Sequence, residues 1–395
     1  MRNEATRNFV RDHRFDDVRK LALRVPSFHD PNIDFPWALT QIEGRQRSEL
    51  KIPSWFQSDA IVYPPHLALE QCSSEPTARY KAGMLSGTSL VDLTGGFGVD
   101  FAFLSEKFQE AFYVEKQKEL CDIAAYNFKI LRLIAAHVIH ADAFDFLNRM
   151  TPVDAIFIDP SRRLNSGKKV FRIEEAEPDI MKIQDLLLSK SSSVLIKLSP
   201  MLDISLSLRL IKNVAEVHVV SLENECKELL LFIKKNCISE PLITCVNLSD
   251  KSNQPKISFL QSQEKAREIS YTSEIGPFIY EPNASLLKAG FFKGLTALYP
   301  LRKLHRDSHL YTSDHLIPDF PGRVFQTEAV ASFNKKELNG FLRKASKASL
   351  AIRNFPLSVS ELRKKLKIRE GEGACIFATT LANEKHILLR TKKIE

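Results

Sequence analysis

From Ser89 onward the chain alternates short, strongly apolar runs with longer stretches in which apolar residues recur every three or four positions. That texture predicts βα units feeding a parallel sheet. Strands are expected near residues 89–93, 111–115, 137–140, 154–158, 193–197 and 216–221, with helices between them, such as 116–133 and 178–188. The next apolar run, 229–233, follows too closely for a crossover helix, so this end of the sheet must close with an antiparallel hairpin. Six parallel-type strands and one hairpin strand make a seven-stranded α/β sheet.

The flanks read differently. Residues 1–72 are mainly helical in pattern, each helix limited by Pro26, Pro31, Pro36, Pro53, Pro64 or Pro65. Residues 240–271 are polar and rich in Ser, Asn and Gln, which reads as a connecting region. Residues 278–321 are aromatic and punctuated by Gly and Pro, too short to bury much alone and expected to pack on a neighbour. Beyond them an amphipathic helix carries Leu338, Phe341, Leu342 and Ala345 on one face and Lys336, Arg343 and Lys347 on another. A second helix opens at a capping box, Ser358 to Glu361, and carries Arg363, Lys364, Lys365 and Lys367. Two strand-like runs, 375–381 and 386–389, close the chain. The expected organisation is a helical region over 1–72, an α/β domain over 73–238, a connecting region and small segment over 239–321, and a basic domain over 322–395.

Composition narrows the class. A chain of 395 residues exceeds one small module, and 44% hydrophobic with 26% charged residues excludes wholesale disorder and fibrous repeats. The net charge of +8 is unevenly placed: residues 322–395 hold 16 Lys and Arg against 7 Asp and Glu, leaving 40 against 41 elsewhere. The basic excess therefore sits in the C-terminal domain, where it suits a polyanion. Met1 to Arg24 mixes acids and bases without an apolar core, and no window reaches the length of a membrane span, so a cytoplasmic protein is expected. The six cysteines are scattered without CxxC or zinc spacing, which predicts free thiols and no structural metal.

The strongest local signal is Val91-Asp92-Leu93-Thr94-Gly95-Gly96-Phe97-Gly98, between the first strand and the first helix of the α/β region. Glycines there let the backbone turn sharply and approach a nucleotide, with helix amides aimed at it. The dinucleotide fingerprint tested from Gly96 would need a small residue at position 101, where Phe101 stands, so nicotinamide or flavin binding is disfavoured. The stretch resembles motif I of class I S-adenosylmethionine-dependent methyltransferases, whose acid-x-x-G-x-x-G core is matched by Asp92, Gly95 and Gly98. The resemblance implies S-adenosyl-L-methionine as cofactor. It extends to Glu115, at the end of the second strand, as a partner of the ribose hydroxyls. Asp142, with Ala143 after the third strand, falls where the family holds the adenine amino group. Thr77, in the helix before the first strand, falls where the family's pre-motif meets the methionine end. On residue chemistry alone, Asp92 and Glu115 equally suit solvated strand ends and Asp142 an N-cap.

The fourth strand ends in Asp159-Pro160-Ser161-Arg162, and in a parallel sheet that end faces the ligand crevice. The stretch resembles the Asp/Asn-Pro-Pro-aromatic motif of methyltransferases acting on exocyclic base amines. The resemblance implies that Asp159 and the carbonyl of Pro160 accept the amine's hydrogens. Ser161 replaces the second proline and Arg162 the aromatic residue, although an arginine plane also stacks on bases. The fifth strand ends Lys197-Leu198-Ser199-Pro200 without the cysteine used for carbon-5 pyrimidine methylation, and Cys226 is the other thiol expected near the crevice. Arg162, Arg163, Lys168, Lys169 and Arg172 form an acid-free loop suited to phosphates.

The chain as a whole is similar to a class I methyltransferase family that ends in a THUMP-like domain. The carrying stretches include Gln41-Ile42-Glu43-Gly44-Arg45-Gln46, Glu70-Gln71-Cys72-Ser73-Ser74, Tyr280-Glu281-Pro282, Phe320-Pro321-Gly322-Arg323 and Arg353-Asn354-Phe355-Pro356. The implied fold is a Rossmann-like seven-stranded α/β sheet with an N-terminal helical region and small C-terminal α+β domains, one ferredoxin-like over 278–321. Because THUMP domains grip tRNA, the implied function is methylation of a base in RNA, tRNA or rRNA, with Lys336, Arg343, Lys347, Arg363 and Lys364 as phosphate contacts. The rival readings are a methyltransferase for protein or a small molecule, and an inactive RNA-binding protein.

Overall fold

The structure, a computed structural model of the 395-residue chain, describes residues 3–25, 28, 30–162, 173–249, 254–342, 347–371 and 374–394. The chain forms two compact units: Met1–Ala215 with Leu230–Ser239, and Glu216–Leu229 with Glu240–Glu395.

In the first unit, helix α1 (Glu4–Asp12) is capped by Asn3, and α2 (Phe35–Lys51) by Asp34, with Pro36 in its opening turn. Their apolar stripes meet where Phe9, Leu21, Ala38 and Ile42 form a cluster. After α3 (Glu75–Ala82) come β1 (Ser89–Asp92), α4 (Val99–Ser105), β2 (Glu110–Glu115), α5 (Lys118–Ile130), β3 (Ala136–His140), α6 (Ala143–Arg149), β4 (Ala155–Ile158), α7 (Ile180–Lys190), β5 (Ser193–Leu198) and α8 (Ile204–Leu210). These strands are parallel and ordered β3-β2-β1-β4-β5. β4 is buried at every position, as a central parallel strand covered on both faces must be.

The expected hairpin follows. β6 (Val214–Leu222) and β7 (Glu225–Lys234) are joined by Glu223 and Asn224, both at positive φ, the geometry of a type I′ turn. β7 lies next to β5 and β6 next to β7, giving the order β3-β2-β1-β4-β5-β7-β6 for seven of the nine strands of this sheet.

The second unit departs from the expectation of a connecting region over 240–271. β8 (Leu242–Leu248) pairs in parallel with β6, and β9 (Ile257–Leu260) pairs antiparallel with β8. Leu242 to Val246 is a strand-length apolar run, and polar neighbours concealed it in the composition of the segment. A further sheet contains β10 (Phe278–Pro282), β11 (Tyr311–Ser313), β12 (Gly322–Ser332), β13 (Ser349–Arg353), β14 (Cys375–Thr380) and β15 (His386–Ile394). Its order, after a short Arg302–Lys303 edge strand, is β11-β10-β12-β15-β14-β13. The 322 position therefore falls at a strand pairing, since β10 and β12 bond across it from Phe278↔Gln326 to Pro282↔Gly322. Helix α9 (Lys335–Leu342) and helix α10 (Val359–Leu366), the latter with both halves of its capping box formed, belong to the same unit.

Glu281 on β10 is the polar centre of this sheet, with its side chain only 2% exposed. It faces Arg323 directly across the ladder, accepting from its guanidinium Nε at 2.9 Å, and accepts from Arg353 Nε at 2.7 Å. Both arginines reach solvent, so losing the carboxylate costs less than opening a fully enclosed pair. Glu281→Gln is expected to lower the stability of the second unit by about 2 kcal/mol, read as a lower urea midpoint by near-ultraviolet circular dichroism.

Candidate functional site

A cavity of about 570 Å3 lies in the first unit at the carboxyl ends of β1 to β5. That is where a doubly wound sheet exposes backbone and charge to a ligand, and the volume suits a cofactor-sized molecule. The loop Asp92 to Gly98 forms one wall. It can lie flat there because of two glycines. A Cβ on Gly95 would stand 2.1 Å from the Tyr113 ring, and Gly98 has φ +87° with Phe128 2.9 Å from where a Cβ would sit. Phe97 is pressed from outside by Trp55, ring centroids 5.1 Å apart, so the N-terminal helices seat the loop.

The carboxylates expected at the strand ends all reach this cavity. Asp92 is 1% exposed, and its Oδ1 accepts from the Thr94 amide at 2.9 Å while its Oδ2 has no partner among the described residues. Burial pushes its pKa well above the usual carboxylate range. Glu115 accepts from the Gly96 amide at 2.9 Å and from the Gln117 amide at 2.8 Å, one per oxygen, which leaves lone pairs free on both. Asp142 caps α6, accepting from the amides of Phe144 and Asp145 at 2.8 and 3.2 Å, and it also lines the cavity beside Ala143 and exposed Phe144. The N-cap role and the cavity position coexist.

Asp159 stands on the same wall. Its amide donates to Thr94 Oγ1 at 2.6 Å, and its Oδ2 accepts from Lys197 Nζ at 2.6 Å. Lys197 Nζ also lies 3.4 Å from Asp100 Oδ2, Asp100 Oδ1 lies 3.1 Å from Lys81 Nζ, and Ser73 Oγ donates to Asp100 at 2.7 Å. A line of alternating charge, Lys81, Asp100, Lys197, Asp159, thus runs from a fully enclosed lysine to the cavity surface. Burial opposes ionisation of Asp100, but Lys81, Lys197 and Ser73 outweigh it and hold its pKa below the usual value.

Lys81, Asp100 and Lys197 were not singled out in the sequence. The available signal was a lysine inside the apolar strand Ser193–Leu198, a position that needs a carboxylate partner. Three residues expected at the site stand off the cavity wall. Thr77 does not line the cavity: it is buried and its hydroxyl donates to the Ser74 carbonyl at 3.0 Å, because the phase of α3 turns it inward. Pro160 is buried and also absent from the cavity wall, although Asp159 and Ser161 on either side line it. Cys226 does not line it either; Cys72 does, and burial pushes both thiols up to about 11, so neither is a thiolate at neutral pH. Arg163, Lys168, Lys169 and Arg343 lie outside the described residues, and Arg162 is described as backbone alone. Lys336, Lys347 and Lys364 are exposed and Arg363 half-buried, all in the second unit.

Comparison with known proteins gives the same fold. Residues 278–321 match a ferredoxin-like domain and residues 322–393 a THUMP domain-like family model. The crystal structure of a protein assigned as a methyltransferase, from Porphyromonas gingivalis W83, matches with TM-score 0.87 and 33% identity, covering 99% of this chain and 98% of that one. An uncharacterised S-adenosylmethionine-dependent methyltransferase of Mycobacterium tuberculosis is 23% identical over 320 residues, 80% of this chain and 83% of the relative. Fold, cavity and relatives define an S-adenosylmethionine-dependent methyltransferase. Within that class the chain belongs to the family of the Porphyromonas gingivalis protein, which it matches almost from end to end.

Asp100→Asn leaves Lys81 enclosed without its counter-charge and is expected to destabilise the first unit by about 3 to 5 kcal/mol in urea unfolding at neutral pH. Asp100 has a depressed folded-state pKa, so its contribution is present above the ordinary carboxylate pKa and lost as pH falls through the lower folded value. The gap between the wild-type protein and the variant should therefore close at strongly acidic pH.

Proposed function

We propose that this enzyme methylates a base of RNA, tRNA or rRNA, at an exocyclic amine, in the cytoplasm. The single observation that carries the reading is Asp159, whose backbone amide is held by Thr94 and whose carboxylate is held by Lys197, on the wall of the same cavity as the glycine loop. Support for RNA comes from the charge of residues 322–395 and from their match to a THUMP-like domain.

The residues present fit the donor. Glu115 would accept from the ribose hydroxyls, Asp142 with Ala143 would border the adenine, and Gly95, Gly96 and Gly98 would let the chain approach it. Asp92, whose buried Oδ2 lacks a partner, would face the cationic methionine end. S-adenosylmethionine bound there would supply an electrophilic methyl group on a sulfonium, and S-adenosylhomocysteine would leave with the electron pair of the broken S–C bond. Asp159 would accept an N–H of the target amine, orient the nitrogen lone pair and take up the proton released as the N–C bond forms. Lys197 holds that carboxylate in place, and Ser161 borders the acceptor side.

Transfer of labelled methyl groups onto RNA from a strain lacking the gene, followed by nucleoside mass spectrometry, tests the substrate. A methylated exocyclic amine is expected, and label found only in protein would reject the RNA reading. Asp159→Asn should lower kcat by about 10²- to 10⁴-fold while calorimetric affinity for S-adenosylhomocysteine stays near the wild-type value. For the grip on RNA, truncation at 322 would tear β10 from β12, so charge reversal is the better probe. Lys336→Glu with Lys364→Glu should flatten the slope of log K against log salt by at least about 1.4, two single-strand phosphate contacts. An unchanged slope would exclude α9 and α10 as the contact surface.

A further inference from the structure

We propose that the N-terminal helical region carries a second nucleotide site, a cleft that grips a phosphate-bearing strand of the RNA substrate beside the donor cavity. The proposal rests on the RNA reading above and gives it a place in the first unit.

A cavity of about 530 Å3 opens between α1, α2, the segment around Tyr63 and α5. Arg7, Arg11, Arg14 and Arg45 line it, against Glu4 and Asp59. Arg7 and Arg11, four apart, share one face of α1, and Arg14 follows in the turn after it. Thr6 and Phe9 occupy the buried face, which leaves the arginine stripe to the cleft. The charges in the cleft do not cancel. Arg45 holds Asp59 at 2.8 Å and lies 4.5 Å over the Phe56 ring, Arg11 meets Asp12 at 3.3 Å, and Glu4 sits in the first turn of α1, where the helix dipole favours it. Among the described residues Arg7 and Arg14 have no carboxylate partner.

Beside these guanidiniums stand two half-buried aromatic rings, Trp37 and Tyr126. Arginine forks without counter-charge bind phosphate, and rings beside them offer a base a stacking surface. An apolar ligand would leave the arginines unpaired, and a cation would be repelled. The wall is rigid. Gln41, 4% exposed, donates to the Tyr63 carbonyl at 3.0 Å and accepts from its amide at 2.8 Å, and Asn127 clamps Val62 in the same two-way fashion at 2.8 and 2.9 Å. Tyr63 then connects the two cavities. It lines the arginine cleft, and its ring centroid is 6.2 Å from that of Phe97, which lines the donor cavity.

The test uses full-length protein, single-stranded oligoadenylate and AMP as probes. The chain has two tryptophans, and Trp55 is 2% exposed, so quenching of intrinsic fluorescence reports a base on Trp37. Oligoadenylate should quench the wild-type protein. In the R7A/R14A double variant the quenching should fall and the slope of log K against log salt should flatten by about 1.4, with S-adenosylhomocysteine binding unchanged. If oligoadenylate binds both proteins with the same affinity, slope and quenching, the cleft is not a nucleotide site, and the RNA reading is untouched. If AMP binds and the arginine substitutions abolish it while oligoadenylate binds neither protein, the cleft takes free nucleotides alone and the strand proposal is overturned, the RNA reading being decided by the methyl-transfer experiment. Binding of neither probe to the wild-type protein overturns the cleft as a site.

Discussion

An ionised carboxylate survives in an apolar interior when cations neutralise it and hydrogen bonds occupy its oxygens. Asp100 meets that requirement by drawing together four elements: its own helix α4, Lys81 of α3, Lys197 of β5 and, through Lys197, Asp159 at the end of β4. The arrangement joins the helix before the sheet to β4 and β5. Asp159 is thus the solvent-facing end of a charge line whose other end is fully enclosed. Its position is set by the core of the unit, which is the fixed geometry that the role proposed for it would need.

The second unit obeys the same rule around Glu281. Three stretches that are far apart in the chain, Tyr280-Glu281-Pro282, Gly322-Arg323 and Arg353-Asn354, meet at one buried carboxylate. Each supplies a backbone or a charge to the same sheet. The pairing of β10 with β12 also makes the ferredoxin-like and THUMP-like segments parts of one continuous sheet.

Much of the site was legible because a parallel sheet places the carboxyl ends of its strands side by side. Asp92, Glu115, Asp142 and Asp159 each follow an apolar run, and strand geometry alone brings them to one crevice. The burial of Thr77 was not legible because helix phase, which decides whether a hydroxyl faces a cavity or the core, depends on what the helix packs against. Lys197 and Asp100 were missed because their meaning is pairwise: a lysine in a strand and an acid in a helix are unremarkable until folding sets them 3.4 Å apart. β8 was lost in a segment whose average polarity is high although five of its seven residues are buried.

The sequence by itself determined the alternation of strands and helices, the hairpin that closes the sheet, the glycine loop and the concentration of positive charge after residue 321. These are local properties, written in periodicity, turn chemistry and composition, and they survive without knowledge of neighbours. Tertiary structure alone decided which charges neutralise one another, which of the loop-borne residues reach the cavity, and that the arginine stripe of α1 lines a cleft sharing Tyr63 with the seat of the glycine loop. Those outcomes depend on distances between residues remote in the chain, and electrostatic and hydrogen-bond energies change within an ångström or two, a scale that no one-dimensional pattern records.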